Sequence, residues 1–126
     1  MVDISEANFK ELVVDSEKVV LLAFVAEWCK PSKLQKDVIL HLQEKYEGRA
    51  EIHLLDVDSY EELSAEYNTR TLPTVVLFAG GEMIETLIGY QPQDFLESYL
   101  DFLLEQLKNK LEEQKQSKAQ EESDAG

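Results

Sequence analysis

One stretch of this chain has the residue types for covalent chemistry. In A-E-W-C-K-P-S-K-L, Ala26 to Leu34, a cysteine stands between a tryptophan and a proline. Cys29 is the only cysteine in 126 residues, so no disulfide forms within the chain and any it makes joins it to another molecule. Proline is harmless in the first turn of a helix, where its missing N–H has no intrahelical partner, so Pro31 reads as part of a helix start. The unpaired amides of such a turn point toward the Cys29 sulfur and favour the thiolate, which is the nucleophile in thiol chemistry. Three residues further on, Ser32 stands where a dithiol site would carry a second sulfur. The competing reading of Cys29 is a small, buried, inert side chain. Trp28, the only tryptophan, reads either as core or as an aromatic contact surface beside the thiol.

A second constellation is T-L-P-T, Thr71 to Thr74. Proline cannot donate to a strand ladder, so Pro73 marks a strand start, and the Leu72–Pro73 bond is trans or cis at a difference of only ~0.5–1 kcal/mol. His41 and His53 stand apart from any cysteine or carboxylate cluster at ligand spacing, so no metal is expected. Without a glycine-rich phosphate loop or a Ser-His-Asp pattern, nucleotide and hydrolase readings have no support. No cofactor is expected.

The elements that must position these residues follow from periodicity. Ser5 to Val14 reads as a first helix capped by Ser5, with Phe9, Leu12 and Val13 on one face. V-V-L-L-A-F-V-A, Val19 to Ala26, is a continuous apolar run suited to a strand covered on both faces. Lys33 to Tyr46 carries Leu34, Val38, Ile39, Leu42 and Tyr46 at helical period, and Gly48 stops it. Glu51 to Val57 reads as a strand, and Tyr60 to Tyr67 as a short helix capped by Asp58 or Ser59. Thr74 to Ala79 and Met83 to Ile88 form an antiparallel hairpin across Gly80-Gly81. Asp94 to Leu111 is an amphipathic helix with a leucine stripe, docked on this domain or on a second chain, so that a monomer or a weak dimer is expected. From Glu112 the chain is almost wholly polar and reads as a disordered tail. The domain is therefore expected over residues 1–111 and the tail over 112–126. The order α-β-α-β-α-β-β-α combines parallel crossovers with a terminal hairpin, which predicts an α/β domain with a mixed central sheet and helices on both faces.

Charge limits the partners. The net charge of −14, from 12 basic and 26 acidic residues, repels phosphate backbones and anionic lipid heads, so neither nucleic acid nor a membrane surface is an expected partner. The N-terminal residues M-V-D-I-S-E-A-N-F-K do not read as a secretory signal, and no segment approaches the roughly 18 apolar residues of a membrane span. A cytoplasmic protein is expected.

A-E-W-C-K-P with Lys33, D-V-D at 56–58, T-L-P-T at 71–74, V-V-L-F-A-G-G at 75–81 and Gly89 resemble, in order and spacing, the thioredoxin family. The resemblance covers about Phe9 to Leu104. It implies a thioredoxin fold, a cis peptide between Leu72 and Pro73, and a peptide-binding groove formed by Trp28, Pro31, Leu72, Pro73 and Gly89, with Thr74 beside them. In that groove the Leu72 backbone would pair with an extended substrate. The departures from the family pattern are equally informative. Disulfide-reducing members carry C-x-x-C, where this chain has Ser32. The aspartate commonly buried beneath their active site corresponds to Ala23, the nearby lysine to Leu54, and the helix-kinking proline to Asp37.

A thiolate attacking a disulfide forms a mixed disulfide that a second sulfur in the same site would resolve. Ser32, barely ionised at neutral pH, can only hydrogen-bond to the Cys29 thiolate. The sequence therefore predicts a monothiol exchange protein with Cys29 as nucleophile and Ser32 beside it, acting on protein thiols or disulfides and on glutathione as an isomerase, a deglutathionylation-like catalyst or a weak reductase. Plant C-x-x-S thioredoxin-like proteins resemble the chain at W-C-x-P-S and point to the isomerase branch. Two alternatives stay open: a non-catalytic thioredoxin-fold adaptor, and a Cys-to-Ser active-site variant of an ordinary dithiol protein.

Overall fold

The computed structural model describes Ile4, residues 7–67 and residues 69–125, with residues 116–125 described by their backbone alone. The expected Ser5 cap lies outside the described residues. A short π-helical turn, Lys10–Val14, precedes β1 (Val19–Val25), α1 (Lys30–Lys45), β2 (Glu51–Asp56), α2 (Glu61–Glu66), β3 (Thr74–Ala79), β4 (Glu82–Ile88) and α3 (Gln93–Ala125). Among the described residues the strands form one mixed sheet in the order β2-β1-β3-β4. β1 runs parallel to β2, and both β1–β3 and β3–β4 are antiparallel. Only one crossover is therefore parallel, where the sequence predicted more than one. The chain passing from β2 through α2 returns in the opposite sense, because the Leu72–Pro73 loop turns it into β3.

The alternation of side chains on β1 explains the layers. Val19, Leu21 and Ala23 face α1 and α3, packed with Val38, Ile39, Leu42, Tyr46, Leu96, Leu100 and Leu103. Val20, Leu22 and Phe24 face the opposite side, against Phe9, Val13, Leu55 and Leu63. A strand with two apolar faces has nowhere to go but the middle of a sandwich. β3 repeats the pattern beside it, with Val75 and Leu77 on one face and Val76 and Phe78 on the other. The hairpin that follows turns on Gly80 and Gly81, whose φ values of 60° and 86° suit a two-residue connection and exclude ordinary side chains.

α3 is anchored by polar as well as apolar contacts. The Tyr46 hydroxyl donates to the Asp101 carboxylate at 2.8 Å, and Lys45 pairs with Glu97 at 2.6 Å. Leu107 packs against the hairpin turn, where a Cβ added at Gly80 would come within 3.3 Å of its Cδ1. This places the leucine stripe as far as Leu107 on its own domain. The helical backbone continues past the expected end at Leu111 to Ala125, while residues 111–115 are exposed. Burial and helicity part company here because Glu, Gln, Lys and Ala favour helix without needing a core.

His53 on β2 is only 3% exposed, and neither ring nitrogen has a hydrogen-bond partner among the described residues; its Nε2 lies 3.6 Å from Glu51 Oε2. Burial pushes its pKa below the ordinary 6.5, with the Glu51 carboxylate opposing more weakly. As the pH falls through about 6.5 the unfolded chain takes up a proton that the folded chain resists. Stability from this group is thus fully present above that pH and is lost as the pH drops toward the folded value. His53→Leu is expected to flatten the fall in thermal midpoint between about pH 7 and about pH 5, and an unchanged slope would refute the assignment. Ending the chain at Leu111 should shift the urea-unfolding free energy by no more than about 0.5 kcal/mol, whereas Leu107→Ala should cost roughly 1–2 kcal/mol.

Candidate active site

The carboxyl end of β1 delivers the chain to the site. Val25 is its last strand residue; Cys29 N donates back to Ala26 O at 3.2 Å, closing a turn that projects Trp28. α1 begins at Lys30 rather than Lys33, with Cys29 as its cap and Pro31 in its first turn. Lys33 N already bonds Cys29 O at 3.2 Å and Pro31 has no N–H, so the amides of Lys30 and Ser32 are the first-turn donors left without an intrahelical acceptor. No amide of the turn caps the sulfur directly. The half-buried Cys29 Sγ lies at the positive end of the helix dipole and donates instead to Leu72 O at 3.6 Å.

That contact brings the two sequence constellations together. The Leu72–Pro73 peptide is cis. The fully buried Thr74 donates its hydroxyl to Thr71 O at 2.7 Å, so it braces the proline loop instead of facing the groove as the sequence predicted. Gly89, at φ 89°, donates its N–H to Pro73 O at 2.8 Å, which ties its loop to the proline loop. Pro31 is exposed and Leu72 half-buried, and of the expected residues Leu72 is the one whose contact with the sulfur is direct, with Pro73 and Gly89 joined behind it.

Ser32 departs from expectation in detail. It is 1% exposed, and its hydroxyl has no partner among the described residues, so the hydrogen bond expected toward Cys29 is not made. It lines a cavity of about 870 Å³ along the open edge of β2, together with Lys33, Lys36, Asp37 and His53. Beneath the site, Ala23 and Leu54 are direct cross-strand partners, and Ala23 sits in the apolar cluster against α1. α1 runs its 16 residues without interruption through Asp37. No described group of three His, Cys, Asp or Glu side chains is placed to hold a metal ion.

The D-V-D segment at the end of β2 meets the turn that carries Trp28. Trp28 is 70% exposed, yet its indole N–H donates to Asp58 Oδ2 at 2.7 Å, and Asp58 N is held in turn by Asp56 Oδ1 at 3.0 Å. D-V-D is thus a bracket for the tryptophan, which lies outside the core. Leu34, Ile88 and Tyr90 add exposed apolar area on α1 and beside Gly89. Isolated apolar residues in exposed positions are too common to be read as a site before the loops are placed. Asp58→Ala is expected to release the indole, seen as faster motion in Trp28 fluorescence anisotropy with little change in stability; an unchanged anisotropy would refute the bracket.

Comparison with known proteins identifies the family. A family model described as Thioredoxin matches residues 1–102. Similar curated proteins include a thioredoxin of Synechocystis sp., 35% identical over 98 residues that cover 78% of this chain and 92% of that one. A chloroplastic M-type thioredoxin of Spinacia oleracea is 37% identical over 102 residues, covering 78% of this chain and 56% of that one. Thioredoxin C-2 of Corynebacterium nephridii is 34% identical over 101 residues, covering 80% and 94%. With a cysteine at the start of the helix after β1, a cis-proline loop against its sulfur and a mixed sheet between two helical layers, this chain belongs to the thioredoxin family.

Proposed function

We propose that the chain is a monothiol exchange protein, in which Cys29 forms mixed disulfides that another thiol must resolve. Thiol–disulfide exchange as such is the chemistry supported by family membership. The observation that carries the finer reading is the lone sulfur facing Leu72 O, with a buried hydroxyl at Ser32 in place of a second thiol.

The Cys29 thiolate attacks one sulfur of a disulfide, a new sulfur–sulfur bond forms to Cys29, and the other sulfur leaves as a thiolate; no net oxidation occurs in this step. Trp28 and Pro31 on one side, and Leu72, Pro73 and Gly89 on the other, line the path of the incoming chain. Leu72 offers backbone groups for pairing with an extended segment. Thr74 holds that loop in shape. Release follows when a second thiol attacks the mixed disulfide and returns Cys29 as thiolate. If that thiol belongs to the substrate, its disulfide is rearranged. If it is glutathione, the bound chain or glutathionyl group leaves as a disulfide with glutathione, which requires a compartment that keeps glutathione reduced and suits the cytoplasmic expectation.

A non-catalytic adaptor is favoured by a different observation: Ala23 and Leu54 leave no buried ionisable pair under the site, and α3 extends far past the packed core. The two readings separate on one variant. Under the exchange reading, Cys29→Ser abolishes capture of a protein disulfide and transfer of glutathione from a glutathionylated peptide. Under the adaptor reading, capture persists. Ser32→Cys should release the trapped chain about tenfold faster or more, since a thiol at that position supplies the missing resolving sulfur. Equal release rates would show that position 32 does not reach the mixed disulfide.

A further inference from the structure

Gln35 lies on α1 six residues after Cys29 and is fully buried. Its side-chain amide pairs with one backbone unit of a distant loop. Nε2 donates to Gln91 O at 3.0 Å, and Oε1 accepts from Gln91 N at 2.6 Å, much as a neighbouring strand would. Gln91 closes the loop upon itself, its own Nε2 donating to Gly89 O at 3.2 Å and to Ile88 O at 3.4 Å. Gly89 N donates to Pro73 O. Residues 88–91 are thereby tied both to the helix that carries the reactive sulfur and to the proline loop that faces it.

Apolar burial does not explain this arrangement. Ile88 is 63% exposed and Tyr90 43%, so the loop buries little of its own surface. A buried amide, by contrast, is unfavourable unless all its bonds are made, which commits this helix position to one loop geometry. An apolar side chain at position 35 would fill the space without fixing the backbone opposite.

We propose that Gln35 and Gln91 are positioning residues that hold the exposed Ile88 and Tyr90 in a fixed loop joined to the proline segment that faces Cys29, selecting disulfides carried on extended polypeptide over small free disulfides. The inference rests on the exchange reading above. A loop already ordered does not have to be ordered again when substrate binds, and the gain appears only for substrates long enough to touch it. A small disulfide meets the sulfur and its immediate surroundings alone.

The test compares the unaltered protein with Gln35→Leu and Gln91→Ala in three reactions: alkylation by iodoacetamide, exchange with bis(2-hydroxyethyl) disulfide, and exchange with a mixed disulfide on a peptide whose flanking residues are apolar. Both variants are expected to slow the peptide reaction about five- to tenfold, through a raised half-saturating concentration, and to leave the other two within about twofold. Amide hydrogen exchange over residues 88–91 should rise in parallel. Gln91→Ala keeps the backbone bonds to Gln35 and carries the test should Gln35→Leu fail to fold. An unchanged peptide reaction, or equal slowing of all three, overturns the inference. If the unaltered protein forms no mixed disulfide with either disulfide, the exchange reading itself fails.

Discussion

Everything in this fold depends on a strand with no solvent face. All of β1 from Val19 to Phe24 is fully buried, so α1 and α3 must cover one side of it and the N-terminal segment with α2 the other. Burial of a run this apolar is the largest favourable contribution available to a chain of this size. It also decides where chemistry can occur. The chain leaves the sandwich at the carboxyl end of β1, and the next residues in sequence are the turn that carries Trp28 and Cys29. The reactive sulfur sits where it does because the core expels the chain at that point.

The groove around that sulfur is assembled from three segments far apart in sequence, and polar bonds, not apolar packing, set their relative positions. Cys29 Sγ meets Leu72 O, Pro73 O meets Gly89 N, and Gln35 meets both backbone groups of Gln91. Trp28 is held from a fourth direction by Asp58. Trp28, Leu34, Ile88 and Tyr90 stay exposed while these bonds fix the backbone of the segments they join. Directional bonds can hold a surface open where hydrophobic packing alone would close it.

How much of this the sequence made legible depends on range. Strands and helices came from local periodicity, and β3 begins and ends where T-V-V-L-F-A does. The start of α1 lay three residues earlier than the apolar pattern indicated, because a first turn capped by Cys29 and containing Pro31 has no apolar residue to announce it. The sense of β3 against β1 was not legible, since a short helical connection permits either direction and the proline loop chooses. Cys29, Pro31, Pro73 and Gly89 were recognisable as types at known spacing. Gln35 and Gln91 were not, and D-V-D did not show that Asp58 would meet Trp28, because an amide or a carboxylate in sequence carries no sign of whether it will meet water or a distant group. Past Leu111 composition reports only what the segment can bury, whereas helicity in a solvated segment depends on propensity, and the backbone there is helical to Ala125.

Under the exchange reading proposed above, Ala23, Leu54 and Ser32 are mutually consistent. Ala23 and Leu54 are opposed across β1 and β2, at the places where the family resemblance leads one to look for an aspartate and a lysine. A carboxylate buried there is useful when a second thiol must lose a proton to resolve a mixed disulfide, and it costs several kcal/mol of desolvation unless well paired. With a hydroxyl at Ser32 there is no such proton to move at neutral pH, so the carboxylate loses its use while its cost remains, and its cationic neighbour loses its partner. Apolar replacements then restore packing without penalty. The apolar floor is consistent with the serine above it, and the serine is what makes that floor tolerable.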